Sequence, residues 1–122
     1  MSGAAITYVA VVDDDENICR SFGRLLRAAG MQPITYDSAE LFLTDTKRPQ
    51  FGCLVFDIQL GGISGIQLAQ QLIDAGENTP VIFITGQDDP VARAAAEALG
   101  TAYFHKTAPG IEVLDAIRSV AL

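Results

Sequence analysis

Short apolar runs alternate along this chain with longer stretches in which apolar residues recur every three or four positions. Residues 6–12 are nearly all apolar and β-branched, which predicts a strand buried on both faces. Ile18, Phe22, Leu25, Leu26 and Ala29 then share one face of a helix that Gly30 should close. A short second strand is expected over 33–36. Asp37, followed by Glu40 three residues later, has the form of a capping box and predicts a second helix with Leu41 and Phe42 facing the core. Cys53-Leu54-Val55-Phe56 reads as a third strand ending in Asp57. After the glycine-rich stretch Gly61-Gly62-Ile63-Ser64-Gly65, the residues Ile66, Ala69, Leu72 and Ile73 mark a third helix that ends near Gly76. Pro80 opens a fourth strand over 81–84. Asp88 or Asp89 should cap a fourth helix with Pro90 in its first turn and Val91, Ala94, Ala95, Ala98 and Leu99 facing inward. A fifth strand is expected over 101–105. Pro109 should start the last helix, with Ile111, Leu114, Ile117 and Ala121 on one side.

The string is a strand and a helix repeated five times. Strands this uniformly apolar need cover on both faces, which predicts a parallel sheet between two helix layers. With right-handed crossovers the fold class is α/β, a doubly wound (βα)5 three-layer sandwich of flavodoxin-like type with strand order 2-1-3-4-5. In such sheets, ligands bind at the carboxyl ends of the strands, where the strand order reverses.

Composition narrows the picture. The chain has 122 residues, 49% of them hydrophobic, enough for one domain with a core. Eight basic against fifteen acidic residues give a net charge of −7, so direct contact with nucleic acid is not expected. No apolar run is long enough to span a membrane, and the start Met1-Ser2-Gly3-Ala4-Ala5 has neither a basic nor a long apolar segment, so no signal peptide is expected. Cys19 and Cys53, isolated in apolar segments, read as buried free thiols, and a cytoplasmic location is expected.

The candidate chemistry sits at the expected strand ends. The first strand ends in Asp13-Asp14-Asp15, the third in Asp57, the fourth in Thr85-Gly86 and the fifth in Lys106. Adjacent first and third strands would crowd several carboxylates together, raising one another's pKa, and a hard divalent cation such as Mg²⁺ would resolve the repulsion. A carboxylate nucleophile, a metal, a lysine and a hydroxyl suit phosphoryl transfer to the carboxylate. The three acids also suit helix capping, and Asp14 or Asp15 can serve there. His105 is the single histidine and reads as a structural strand-end residue. Arg20, Arg24 and Arg27 read as the solvated face of the first helix.

Val11-Val12-Asp13-Asp14, Val55-Phe56-Asp57, Phe83-Ile84-Thr85-Gly86 and Tyr103-Phe104-His105-Lys106 stand in the order and on the strands seen in receiver domains of bacterial response regulators. The chain resembles that family over essentially its whole length, with a FixJ-type flavour. The resemblance implies that Asp57 is the phosphoacceptor. It implies that Asp14 ligates Mg²⁺ directly, Asp13 through water and Gln59 through its backbone carbonyl. Thr85 would bond the phosphoryl group and move inward, Tyr103 would rotate with it, and Gly86 would leave room beside the phosphoryl. Lys106 would pair with Asp57 and then with phosphoryl oxygens. The implied partners are a sensor histidine kinase or phosphotransfer domain, a second copy of the chain, and a DNA-binding output domain that this chain lacks. The implied role is signalling rather than enzymatic: the domain would catalyse only its own phosphorylation and dephosphorylation, remodelling the face made by the fourth helix, fifth strand and fifth helix.

Two positions depart from the family pattern. Leu60-Gly61 stands where Met-Pro is usual, which predicts a more mobile loop. Lys106-Thr107 stands where Lys-Pro with a cis bond is usual. A cis bond before a non-proline residue costs roughly 2.5–4 kcal/mol, so either a trans bond with a rearranged loop or a strained cis bond is expected. A displaced Lys106 would favour the alternative of a phosphorylation-independent docking or dimerisation module. A flavin binder would want a hydroxyl-rich loop after the first strand, and an aspartate-dependent phosphatase an Asp-x-Asp where Asp57-Ile58-Gln59 stands.

Overall fold

A computed structural model describes residues 5–100 and 102–121. The elements run β1 (Tyr8–Val12), α1 (Glu16–Ala28), β2 (Gln32–Tyr36), α2 (Ala39–Thr44), β3 (Phe51–Asp57), α3 (Gly65–Asp74), β4 (Val81–Thr85), α4 (Pro90–Leu99), β5 (Ala102–His105) and α5 (Gly110–Ala121). All strand pairs are parallel and the sheet order is β2-β1-β3-β4-β5. The expected fold class therefore holds. Thr101, expected to open the fifth strand, and the Met1–Ala4 start lie outside the described residues.

The sheet separates two cores. On one side Tyr36, Phe42, Phe51, Phe56 and Phe83 gather with Leu68, Ala69 and Leu72 of α3. Phe42 stands at the centre of this group, edge-on to Tyr36 at 5.2 Å and to Phe56 at 5.7 Å. On the other side Val9, Val11, Val55, Ile82 and Ile84 meet Leu26 of α1 and Leu114 and Ile117 of α5. The alternation follows from the strand period of two, which sends Val9 and Val11 to one core and Ala10 and Val12 to the other.

Helix faces depart from the periodicity reading where apolar residues are plentiful. Val91, expected inside, is 80% exposed, and α4 instead turns Ala96 fully inward with Ala92 and Leu99 beside it. Ala94 and Ala98 are exposed. In an alanine-rich helix several stripes are about equally apolar, so periodicity alone does not choose among them. Leu41, Ile73 and Ile111 are likewise exposed, while Leu68 and Val113 take core positions.

The second helix is capped one residue later than expected. Ser38, not Asp37, is the N-cap, its Oγ accepting the Leu41 N–H at 3.1 Å, and Glu40 closes no box. The box occurs at α3, where Ser64 accepts the Gln67 N–H and the Gln67 side chain accepts the Ser64 N–H at 2.9 Å. Ser38→Ala should therefore lower stability by about 1 kcal/mol in urea unfolding, whereas Asp37→Ala should change it by no more than about 0.5 kcal/mol; the reverse ranking would return the cap to Asp37.

Candidate functional site

The carboxyl ends of β1 and β3 lie side by side because Val12 is in register with Phe56. The residues that follow, Asp13 and Asp57, are both essentially inaccessible to solvent. Asp14 is exposed at the rim. One carboxylate oxygen from each of the three lies within 4.8 Å of the others. Asp15 is spent differently: it is the N-cap of α1, its side chain accepting the Asn17 N–H at 2.9 Å.

Lys106 reaches into this cluster from the end of β5. Its Nζ lies 3.0 Å from Asp57 Oδ2 and 3.0 Å from Asp13 Oδ2. Burial works against its ammonium charge, but hydrogen bonds to Asp57 and Asp13 outweigh this and hold its pKa above the ordinary lysine value. Asp13 goes the other way. Burial, reinforced by the Asp57 charge, pushes its carboxyl up to about 6 against the opposing Asp15 N–H and Lys106. Asp13 Oδ2 is buried and accepts no hydrogen bond despite its ion pair with Lys106. An oxygen left short of donors, beside two further carboxylates, suits a hard cation.

The Lys106–Thr107 bond is trans, since no peptide bond among the described residues is cis. The turn after β5 is built instead from local bonds. Ala108 N–H donates to the His105 carbonyl at 2.9 Å, Thr107 N–H donates to His105 Nδ1 at 3.2 Å, and that nitrogen lies 2.8 Å from Thr107 Oγ1. His105 is thus part of the turn, as expected of a strand-end residue. The missing proline does not displace Lys106, and the docking-module alternative loses its one support.

Thr85 is buried at the end of β4 and is closely held. Its hydroxyl lies 3.0 Å from Gln59 Oε1 and 3.0 Å from the Gln87 carbonyl, and accepts the Gln87 N–H at 3.2 Å. A single hydroxyl proton serves those two acceptors one at a time. A Cβ added to Gly86 would meet only Lys106 Cδ, at 3.8 Å, so the space beside the carboxylates is open. Tyr103 is half-buried; its hydroxyl is out of solvent with no hydrogen-bond partner among the described residues, and the Arg93 guanidinium lies 5.3 Å over its ring. Burial, with the Asp88 charge, pushes its phenol pKa up.

Three contacts escaped the sequence reading. The Gln59 side chain bridges to Thr85, although only its carbonyl had an expected role. Gln87 completes the enclosure of Thr85. Gly65 packs its α-carbon against the Asp57 backbone, and a Cβ there would overlap the Asp57 carbonyl oxygen. A glycine in the first turn of a helix, where it costs up to about 1 kcal/mol relative to alanine, was the available signal for that close approach. Cys53 is a buried free thiol held up to about 12 by burial, whereas Cys19, expected buried, is half-buried; burial holds it up to about 11 and its Sγ donates to the Asp13 carbonyl at 3.3 Å.

A family model described as the response regulator receiver domain matches residues 9–118. The chain belongs to that family. Response regulator protein TodT of Pseudomonas putida is 35% identical over 117 residues, 95% of this receiver and 51% of that protein. Among solved structures, response regulator StyR aligns with a TM-score of 0.86 and 36% identity over 96% of this receiver and 60% of that chain. The crystal structure titled FixJ-N aligns with a TM-score of 0.86 and 28% identity over 97% and 95% of the two chains. The receiver spans about half the length of the curated relatives it matches. It is a signalling domain of the two-component phosphorelay type.

Proposed function

We propose that this receiver accepts a phosphoryl group on Asp57 from a sensor histidine kinase or phosphotransfer domain. The observation that carries the reading is the shared ammonium: Lys106 Nζ stands 3.0 Å from both Asp57 Oδ2 and Asp13 Oδ2, with Asp14 completing an all-oxygen cluster. Asp57 attacks the phosphorus of a phosphohistidine. A P–O bond forms as the P–N bond breaks, and the imidazole leaves with the electron pair. Asp13, Asp14, Asp57 and the Gln59 backbone carbonyl would hold Mg²⁺, which would supply charge neutralisation for the phosphoryl oxygens. Lys106 gives the same help from the other side and then pairs with the acyl phosphate. The open space at Gly86 admits the phosphoryl group.

Thr85 then donates to a phosphoryl oxygen, giving up Gln59 and Gln87. Its inward shift vacates volume, and Tyr103, whose hydroxyl is unpartnered, rotates toward it. The face of α4, β5 and α5 is remodelled as a shift between two populated states. The donor reaches the site past the cleft lined by Ile18, Phe22, Leu25 and Lys106. Residues 1–122 form one receiver domain in this reading, and the only chemistry it catalyses is its own phosphorylation and dephosphorylation. A DNA-binding output domain beyond this chain, homodimerisation and a cytoplasmic location complete it. No helix among the described residues is long and apolar enough to cross a membrane.

Incubation with acetyl phosphate and Mg²⁺ should add one phosphoryl group by intact mass. Hydroxylamine should remove it, as it does an acyl phosphate, and a chelator should prevent it. An adduct that resists hydroxylamine, or no adduct together with no response to fluoroberyllate, would return the chain to the docking-module reading.

A further inference from the structure

The loop between β3 and α3, which Leu60-Gly61 predicts to be more mobile, is not free. Glu40 in the first turn of α2 extends across to it, and its Oε2 accepts the Ile63 N–H at 3.1 Å. The Ile58 N–H at the loop's start donates to the Ile84 carbonyl at 2.9 Å, and the bonds beyond it are local, from Gln59 to Asp57, from Ser64 to Gln67 and from Gly65 to Ile58. Among the described residues, Glu40 is the one hydrogen-bonding group of another element that holds residues 60–64. The Ile63 N–H in turn holds the Glu40 carboxyl below the usual carboxylate range.

The approach depends on Gly62. A Cβ there would lie 2.6 Å from Glu40 Oε2 and 3.0 Å from Oε1, so the carboxylate occupies the place a side chain would take. Gly62 does not have a positive φ, so its glycine is not required by backbone conformation. The missing side chain makes room for Glu40.

We infer that Glu40 is a positioning residue for the phosphoacceptor site: it pins the loop that presents the Gln59 carbonyl, and so sets how tightly the acid cluster holds its cation. This rests on the site reading above. Ser64 fixes the far end of the loop through its capping box, and Asp57 fixes the near end. Leu60 and Ile63 pack against the core, but the Gly61-Gly62 pair between them carries little restraint of its own, since an added Cβ at Gly61 would meet nothing within 4 Å. Once released from Glu40, the segment samples more conformations and the carbonyl aims less consistently at the cation.

Two substitutions break the contact from opposite sides. Glu40→Ala removes the acceptor. Gly62→Ala pushes the acceptor away, and because only the flexible end of Glu40 stands in its path, the fold should survive. Glu40→Gln keeps an acceptor without the charge. In a Mg²⁺ titration followed by backbone amide shifts, Glu40→Ala and Gly62→Ala should raise the half-saturating Mg²⁺ concentration about fivefold, with Glu40→Gln within about twofold of the parent. Amide exchange at Ile63 should quicken in the first two variants alone. Parental Mg²⁺ titrations in Glu40→Ala and Gly62→Ala would overturn the inference, as would a Glu40→Gln that behaves like Glu40→Ala, since charge rather than the bond would then be responsible. A parent that shows no Mg²⁺ response would overturn the site reading together with it.

Discussion

Asp57→Asn should take up no phosphoryl group from acetyl phosphate and Mg²⁺ while folding as the parent does. A carboxamide is not a nucleophile at neutral pH, so uptake should fall by more than about 1,000-fold, below detection by intact mass. The isosteric swap leaves the surrounding structure little to adjust to. Asn Oδ1 can still accept the Gln59 N–H that Asp57 Oδ1 accepts at 3.1 Å. Its amide would meet the Lys106 ammonium in place of Oδ2, exchanging an ion pair for two facing donors. Against that loss, one of three crowded carboxylates is gone, which relieves repulsion at Asp13. Stability should therefore change little, and a circular-dichroism melt alongside the mass measurement separates loss of chemistry from loss of fold. Undiminished uptake by the variant would assign the phosphoryl group to another residue.

Lys106→Met should impair both chemistry and folding. Among the described residues the lysine is the one side-chain cation paired with the acid cluster, and Asp13 and Asp57 are almost wholly buried. Removing one partner of a buried pair typically costs 3–5 kcal/mol; the Lys106 side chain is 19% exposed, which places the loss near the lower end, about 3 kcal/mol. The loss should depend on pH. Asp13 has a folded pKa of about 6 against 3.8 in the reference state, so folding favours its protonated form, and ionising it draws stability down as pH rises between those values. Lys106 offsets that cost, and without it the Asp13 pKa rises further. The variant should therefore be near parental at pH 4–5 and fall behind as pH passes about 6, with added Mg²⁺ restoring part of the difference. Phosphoryl transfer should slow by about 100-fold, the usual scale for loss of one preorganised charge at a transition state. Urea unfolding at several pH values checks the first expectation and the initial rate of mass gain the second. A loss of stability that is the same at all pH values would mean that Lys106 acts by packing.

The strand framework and the chemical residues were legible in the sequence for one reason. A parallel strand covered on both faces has to be apolar throughout, so the first polar residue after such a run marks the carboxyl edge of the sheet, where Asp13, Asp57 and Thr85 stand, with Lys106 directly after His105 at the end of β5. Helix faces were less legible. Val91 and Ile111 satisfied a helical spacing as well as Ala96 and Val113 did, and only the packing partner decides between such stripes. Caps were ambiguous where two capping residues adjoin, as Asp37 and Ser38 do, because the choice depends on backbone angles a sequence does not display. The side-chain bridges, Gln59 to Thr85 and Glu40 to Ile63, join residues distant along the chain, and no local pattern encodes them. The turn after Lys106 shows a different limit. The sequence left open a trans bond with a rearranged loop or a strained cis bond; the bond is trans, and His105 and Thr107 build the turn from hydrogen bonds.

The unequal cores on the two sides of the sheet bear on how this domain can change over generations. The side that backs α1 and α5 is built largely from Val, Ile and Leu, whose exchanges at constant volume usually cost under about 1.5 kcal/mol. The other side hangs on edge-to-face rings around Phe42, where shape and angle matter as well as volume. Lineages of such a chain can exchange residues beneath α1 and α5 at small cost, so the surface of α1 can change with little disturbance to the aromatic side.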